Sequence, residues 1–166
     1  MTNIIKAINE PIKTYLPGSI ERKNIQNKYD EMAQKKYEIP IIINGNEIKT
    51  GNLKNCIMPH DHQHILATYH NASESEVTKA INSSLESWKS WSNTPLKKRT
   101  KIFRKAANLL SGPWRDTINA ATMLNQSKNI YQAEIDSACE LIDFFNFNAQ
   151  YAEEINAKQP LISPKG

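Results

Sequence analysis

The chain has 166 residues, of which 39% are hydrophobic and 23% charged, so its length suits one domain with a sizeable core. No apolar run approaches the ~20 residues of a membrane helix, and the N-terminal residues lack the apolar stretch of a secretory signal. The two cysteines form no disulfide framework and favour a reducing compartment. The net charge of +4 permits weak attraction to anions but does not by itself indicate a nucleic-acid partner.

The chain begins with a polar arm over residues 1–16, followed by Pro17, Gly18 and Ser19. Ser19 is a residue type that caps helix N-termini, and Glu21 is favourable in the first turn because of the helix dipole. These residues predict a helix over 20–36.

An isoleucine-rich run leads into Asn44-Gly45, the pair preferred in type I′ turns, where both central residues need positive φ. This pattern predicts a β-hairpin, and a second pair of strands is predicted after it. The predicted strands lie near 39–43, 46–50, 56–58 and 64–69, with the turn of the second pair over 59–63.

From Ser73 onward the apolar periodicity is helical. Ser73 and Glu76 fit a capping box at the start of the first helix. Thr94-Pro95 fits an N-cap followed by a proline at the first position of the second helix, and Gly112-Pro113 ends that second helix. The apolar positions of the first helix are Val77, Ile81, Leu85, Trp88 and Trp91. The three later helices are predicted near 95–111, 114–124 and 130–157.

The predicted order is therefore arm, hairpin, strands and four helices, without a return to a strand. We expect no parallel sheet within this chain. We interpret it as an α/β protein and as the front part of something longer, with helix faces that would cover a sheet absent from this chain. Left uncovered, those faces predict poor solubility or association.

Glycine occurs at positions 18, 45, 51, 112 and 166 only. Dinucleotide and P-loop motifs need closely spaced glycines, because backbone N–H groups must approach the phosphates. The sequence therefore predicts no cofactor-binding loop in this chain.

The four histidines all lie between residues 60 and 70, at His60, His62, His64 and His70. Three alternating histidines on a strand would share one face and could bind zinc or copper. A polar turn is the alternative, because Pro59, Asp61 and Gln63 interrupt a regular strand, and we favour it.

A cluster of basic residues lies opposite the apolar face of the second of these four helices. Such a face could follow a phosphate backbone, but no aromatic residues alternate with it to stack on bases. We favour the solvated side of an amphipathic helix. The cluster is Lys97, Lys98, Lys101, Arg104 and Lys105.

The last predicted helix carries two stripes. Its main apolar stripe is Ile135, Ala138, Ile142, Phe145, Ala149 and Ala152; a second stripe is Glu140, Phe144, Phe147 and Tyr151. Helical spacing places the Glu140 carboxylate beside aromatic rings, where it would have a raised pKa or meet a cation. The alternative is that Glu140 points into solvent at the edge of the stripe, and the spacing does not decide between the two.

Cys56 and Cys139 are candidate nucleophiles only by default, since a reactive thiolate needs a base or a positive field. Cys139 has Asp136, Glu140 and Asp143 nearby, which would raise its pKa. We interpret both cysteines as structural.

Several long runs of the sequence resemble Δ1-pyrroline-5-carboxylate dehydrogenases, a branch of the aldehyde dehydrogenase superfamily. The resemblance covers about residues 9–164, and it includes Asn9-Glu10-Pro11, Pro17-Gly18-Ser19 and the stretches 58–64, 105–113, 119–128, 132–136 and 140–145. It implies the N-terminal segment of the aldehyde dehydrogenase fold, with helices that would pack on a Rossmann-like sheet.

The same resemblance implies NAD-dependent oxidation of L-glutamate γ-semialdehyde to L-glutamate in proline degradation. In that family a cysteine attacks the aldehyde, hydride passes to NAD⁺, and water activated by a glutamate hydrolyses the thioester. Those residues lie downstream in the family, and neither cysteine here matches the nucleophile's motif. We therefore expect this chain alone to be inactive, with no catalytic, cofactor-binding or metal-binding residues of its own.

One family position matches a residue of this chain. The glutamate of the run Glu-Leu-Ile-Asp-Phe-Phe, which is Glu140 here, borders the aldehyde channel in the family and helps to select the substrate. Asn125 replaces a usual glycine, and Asn146 replaces a common arginine that could form an ion pair next to Glu140.

The resemblance further implies a homo-oligomer that uses no metal and binds neither nucleic acid nor a membrane. Because the N-terminus lacks an Arg-rich leader, we favour the cytoplasm over the mitochondrial matrix. We divide the chain into residues 1–37 (arm and first helix), 38–72 (strands) and 73–166 (helical part of a NAD-binding domain). A non-catalytic interaction protein, binding full-length subunits or anions, is the alternative function.

Overall fold

The protein was analysed as a computed structural model, which describes residues 4–160 and 162–164. It is a mixed α/β structure. The strands are β1 (Tyr37–Ile39), β2 (Ile41–Ile43), β3 (Asn46–Ile48), β4 (Leu53–Met58) and β5 (Asp61–His70). The helices are α1 (Ile20–Gln34), α2 (Glu74–Ser92), α3 (Leu96–Ser111), α4 (Arg115–Gln126), α5 (Ile130–Ala133) and α6 (Glu140–Ala157), with a π-helical segment over Glu134–Cys139. No helix in the described ranges is long and apolar enough to cross a membrane.

Helix α1 begins as the sequence predicts and packs on α4. The Ser19 hydroxyl accepts a hydrogen bond from the Arg22 N–H at 3.3 Å, which satisfies one of the donors at the start of the helix. On its inner side, Ile25 forms a buried cluster with Tyr15 and Ala120. This cluster joins the arm, α1 and α4.

The predicted hairpin is present as β2 and β3, and its turn has positive φ at both Asn44 and Gly45. It is shorter than expected. Pro40, which has no N–H to donate, separates β2 from the residues before it.

The expectation of no parallel sheet within this chain is wrong for one pair of strands. Strand β1 pairs with β5 in parallel, with Tyr37 opposite Ala67 and Ile39 opposite Tyr69. Parallel neighbours need a crossover of about a dozen residues or more. Here the hairpin and β4 supply it, without a helix between the paired strands.

Strands β4 and β5 form the predicted antiparallel pair but are longer than expected. They join through Pro59 and His60 alone, because Asp61 already pairs with Met58. The register shifts on both sides of Ile57. The three-stranded sheet therefore has the order β1-β5-β4.

Helix α2 has the predicted capping box, in which the Ser73 N–H donates to Glu76 and the Ser73 hydroxyl accepts in turn. The predicted start of α3 is wrong by one position: Pro95 itself is the N-cap residue. The Thr94 hydroxyl donates back to the Ser90 carbonyl oxygen at 3.0 Å and so does not cap α3.

The sequence predicted one helix over 130–157, and this prediction is wrong. A π-helical segment, Glu134–Cys139, separates α5 from α6. Its i→i+5 hydrogen bonds accommodate one extra residue, which turns the faces of α6 by about 100° relative to α5. The main stripe still docks α6 on α3, where Ala107, Ala138 and Ile142 form a buried cluster.

Candidate functional site

The arm is fastened to the helices by a buried carboxylate, that of Glu134 at the start of the π-helical segment. Its oxygens accept hydrogen bonds at 2.8 Å from the Tyr15 hydroxyl, the Asn119 side-chain amide and the Lys13 backbone N–H. Arg115, itself buried, forms an ion pair with Glu134. We call Glu134, Arg115, Tyr15 and Asn119 the arm clasp.

Arg115 extends the clasp to the backbone of the arm. Its guanidinium donates to the Pro11 carbonyl oxygen at 2.8 Å and forms a second ion pair with Glu10. Burial opposes ionisation of Glu134, but the hydrogen bonds from Arg115, Lys13 and Tyr15 outweigh it and hold the pKa of Glu134 below its usual range. The carboxylate is therefore charged and compensated at neutral pH.

The arm then runs along one side of α6. Asp143 accepts from the Glu10 backbone N–H and the Asn9 side-chain amide, both at 2.7 Å, and Gln150 accepts from the Ala7 N–H at 2.6 Å. On another side, Arg104 and Glu153 form a bidentate ion pair between α3 and α6. Helix α6 is thus held from two directions.

Glu140 is the first residue of α6, and it is exposed. Phe144 and Tyr151 lie on the same face with 58% and 48% of their surface exposed, and the Tyr151 ring centroid is 6.0 Å from that of Phe147. The Glu140 carboxylate makes no hydrogen bond or ion pair with any described residue. Within this chain the carboxylate lies in solvent beside exposed rings, and the packed face of α6 is opposite.

Phe144 also borders an apolar cleft of about 410 Å³ between α3 and α6. The end of α2 contributes Trp91, over which the Arg99 guanidinium lies at 6.0 Å from the ring centroid. Phe103 and Phe145 pack in the cleft with their ring centroids 5.8 Å apart.

The four histidines make separate contacts. His60 meets Ser127 and Tyr29, the His64 Nε2 lies 2.8 Å from the Ala33 carbonyl oxygen, and His70 lies between Gly51 and Glu38. No group of three or more histidines, cysteines and carboxylates in the described ranges could hold a metal ion.

The sequence favoured a fully solvated basic cluster on α3, and this is wrong for one of its members. Arg104 is half-buried in its ion pair with Glu153. Its other members, Lys97, Lys98, Lys101 and Lys105, are exposed.

Cys139 lies against the arm clasp, where Arg115 donates to its Sγ at 3.4 Å. Burial and the Glu134 charge raise the pKa of the Cys139 thiol to about 11. It therefore stays protonated at neutral pH and is not an activated nucleophile. Cys56 is a half-buried residue of β4.

The glycines of the described residues do not form a phosphate-binding loop. Gly18, Gly45 and Gly51 have positive φ in three separate turns, and Gly112 ends α3. These residues do not fit the pyrophosphate of a dinucleotide.

No sequence pattern singled out the members of the arm clasp. Asn119 and Glu134 lie within two of the stretches that resemble the family, and neither Tyr15 nor Arg115 carried a prediction. The sequence did hold a signal, because Glu134 is next to Ala133 and one helical turn from the apolar Ala138. A carboxylate at such a position is buried only if it has hydrogen-bonding or charged partners.

Comparison with known proteins gives consistent matches. The family model described as "Aldehyde dehydrogenase family" matches residues 48–165. Delta-1-pyrroline-5-carboxylate dehydrogenase of Agaricus bisporus is 48% identical over 153 residues, covering 92% of this chain and 28% of that protein. The human mitochondrial enzyme of the same name is 40% identical over 163 residues, covering 98% of this chain and 29% of that protein.

A solved structure gives the same result. The Delta-pyrroline-5-carboxylate dehydrogenase of Mycobacterium tuberculosis, bound with NAD, superimposes with a TM-score of 0.93 at 38% identity, covering 99% of this chain and 31% of that one. The chain thus spans less than a third of the length of these relatives, and its fold is that of the N-terminal part of the aldehyde dehydrogenase fold. The chain belongs to the aldehyde dehydrogenase family.

Proposed function

We propose that this chain forms the N-terminal part of an NAD-dependent dehydrogenase that oxidises L-glutamate γ-semialdehyde to L-glutamate. In this proposal, Glu140 lines the substrate channel and helps to select the semialdehyde. The observation that carries the proposal is the exposed stripe of Glu140, Phe144 and Tyr151 on a helix whose opposite face is packed.

The chemistry of the stripe suits this substrate. Glutamate semialdehyde carries an ammonium group, which a carboxylate attracts and which aromatic faces stabilise through cation–π contact. The methylenes of the substrate bury apolar surface against Phe144 and Tyr151. A channel wall of this composition discriminates in favour of an amino-acid aldehyde over a simple aliphatic one.

The position of the stripe is well fixed. The Arg104–Glu153 pair and the bonds from the arm to Asp143 hold α6 on two sides. Selectivity requires such support, because a displacement of about 1 Å can cost about 100-fold in rate.

The reacting groups come from elsewhere in this proposal. NAD would accept the hydride, but the described residues do not fit its pyrophosphate, and the Cys139 thiol is protonated at neutral pH. We therefore expect the 166-residue chain alone to show no aldehyde oxidation.

Exchange of Glu140 tests the proposed role. In an enzyme that contains this chain, we expect Glu140→Ala to lower kcat/KM for glutamate semialdehyde about tenfold, as the loss of one charged interaction predicts, and to leave kcat/KM for propanal unchanged. Steady-state NADH absorbance measures both. Glu140→Gln keeps the shape of the side chain and removes its charge, so it separates electrostatic attraction of the substrate from packing against it. An unchanged preference in both variants would show that the assignment is wrong.

Two further properties belong to the same proposal. We propose a homo-oligomer, as the sequence resemblance implies, in a reducing compartment, either the cytoplasm or, as the human enzyme's name states for that protein, the mitochondrion. A second candidate function is a non-catalytic interaction protein that binds full-length subunits. The exposed apolar stripe of α2 favours it, and aldehyde oxidation by an enzyme that contains this chain would exclude it.

A further inference from the structure

A groove of about 520 Å³ lies between α1, the turn joining β4 to β5, and the loop from α4 to α5. We call it the α1 groove. Its apolar floor is formed by Ile25, Met123 and Ile130, which belong to the cluster beneath α1. Grooves of this size, with an apolar floor and a few converging polar groups, are the usual form of a small-molecule site.

His60 connects the two sides of the α1 groove. Its Nδ1 lies 2.8 Å from the Ser127 hydroxyl oxygen, and its Nε2 lies 3.4 Å from the Tyr29 hydroxyl oxygen. Three elements distant in sequence thus fix one imidazole at the wall. Ser127 adopts a left-handed conformation, with φ at 55°, which is uncommon for a serine and turns the chain between α4 and α5.

The charged residues that line the groove, Arg22 and Lys128, are both basic. Among the described residues Arg22 makes one side-chain hydrogen bond, to the Tyr15 carbonyl oxygen at 3.3 Å, so most of its guanidinium donors remain for a ligand. Lys128 pairs with Asp136 at 2.7 Å, and both side chains are partly exposed. Such pairs contribute about 1 kcal/mol or less, so Lys128 can exchange its partner at little cost.

We propose that the α1 groove binds a small organic anion with an apolar body. Its phosphate or carboxylate group lies between Arg22 and Lys128, and its apolar part rests on Ile25 and Met123. The His60 imidazole, held by Ser127 and Tyr29, forms part of the wall beside the ligand. This site is separate from the Glu140 stripe and does not depend on the proposed dehydrogenase activity.

Direct binding to the 166-residue chain tests the proposal, with phenyl phosphate, hexanoate and the neutral benzyl alcohol as probes. We expect saturable binding of at least one of the two anions by isothermal titration calorimetry, weakened by added NaCl, and none of the alcohol. The double variant Arg22→Gln with Lys128→Gln should bind at least tenfold more weakly. The matched control is Lys23→Gln with Lys158→Gln, which removes the same charge outside the groove and should leave binding unchanged.

The outcomes separate clearly once far-UV circular dichroism has shown that both double variants melt as the wild type does. Binding of phenyl phosphate alone identifies a phosphate site, and binding of hexanoate alone identifies a carboxylate site; either supports the proposal. The absence of saturable binding by both anions overturns it. Equal weakening in the control also overturns it, because the attraction is then a property of the net charge. None of these results bears on Glu140.

Discussion

The arm clasp and helix α2 depart in opposite directions from the rule that charges lie outside and apolar groups inside. The clasp buries Glu134 and Arg115 completely, and each has several partners within the chain. Helix α2 instead exposes its apolar stripe, whose members are between 42% and 65% exposed. The five members are Val77, Ile81, Leu85, Trp88 and Trp91.

The arm clasp is a region that this chain stabilises with its own residues, whereas the α2 stripe is a region that it presents to another surface. A buried charge is tolerated only when its partners are fixed, so the clasp requires the arm to stay in place. An apolar stripe on an exposed helix marks an interaction surface. Three predictions test this comparison, and they follow in decreasing order of expected effect.

The largest effect should come from breaking the clasp. Glu134→Ala leaves the Arg115 guanidinium buried without its main counter-charge and leaves Tyr15 and Asn119 without their shared acceptor. Loss of one partner of a buried pair costs about 3–5 kcal/mol, so we expect a large fall in the free energy of unfolding, or no folding at all. Urea denaturation followed by circular dichroism measures it.

Glu140→Ala is the matched control, because it removes an exposed carboxylate six residues further along the same helical stretch. Exposed substitutions usually change stability by about 0.5 kcal/mol or less. If Glu134→Ala destabilised the chain no more than Glu140→Ala does, the clasp would not be what holds the arm.

The sequence predicted those elements whose cause is local. Ser19, the Asn44-Gly45 turn and the Ser73–Glu76 capping box each depend on residues within one turn, and the structure confirms all three. The family was predictable as well, because long runs of identical residues carry it and the comparisons confirm it.

One error is local, since the N-cap of α3 is Pro95 and not Thr94. The larger errors concern contacts between distant residues. Strand β1 pairs with β5 about 30 residues later, and no local pattern specifies that partner. The π-helical segment begins at Glu134, whose carboxylate accepts hydrogen bonds from Lys13 and Tyr15, and a helical period read along one segment cannot reveal such distant partners. The position of Glu140 on a helix was predictable from spacing, whereas its role stays a prediction.

The α2 stripe should give the second largest effect, on association. We expect the wild-type chain to self-associate, and the double variant Leu85→Gln with Trp88→Gln to do so at least tenfold more weakly. Each side chain contributes about 1.5–3 kcal/mol when buried, and 1.4 kcal/mol is tenfold in an equilibrium constant. Sedimentation velocity over a concentration series measures it.

Glu86→Gln is the control for association, since it lies on the opposite face of α2 and is also exposed. A wild-type chain that sediments as a monomer at every concentration would contradict the prediction. It would also weaken the view that α2 presents a surface to a partner.

The smallest effect concerns the start of α2. Hydrogen bonds from the Ser73 and Ser75 hydroxyls and the Ser73 N–H lower the pKa of Glu76 to about 2. Because this folded pKa lies below the ordinary value of about 4.3, ionised Glu76 stabilises α2 at higher pH, and the contribution is lost as the pH falls toward 2. We expect Ser73→Ala to raise the pKa of Glu76 toward its ordinary value, as measured by NMR titration.

The consequence should stay within α2, because the five members of its apolar stripe are between 42% and 65% exposed. Loss of the N-cap should speed hydrogen exchange of the α2 amides about fivefold and leave those of α4, which carries Arg115 and Asn119, unchanged. Ser75→Ala removes one bond to Glu76 and keeps the cap, so it should have a smaller effect on both readouts. Equal acceleration in α2 and α4 would mean that the two regions unfold together, and the contrast between a self-sufficient clasp and an independent α2 would fail.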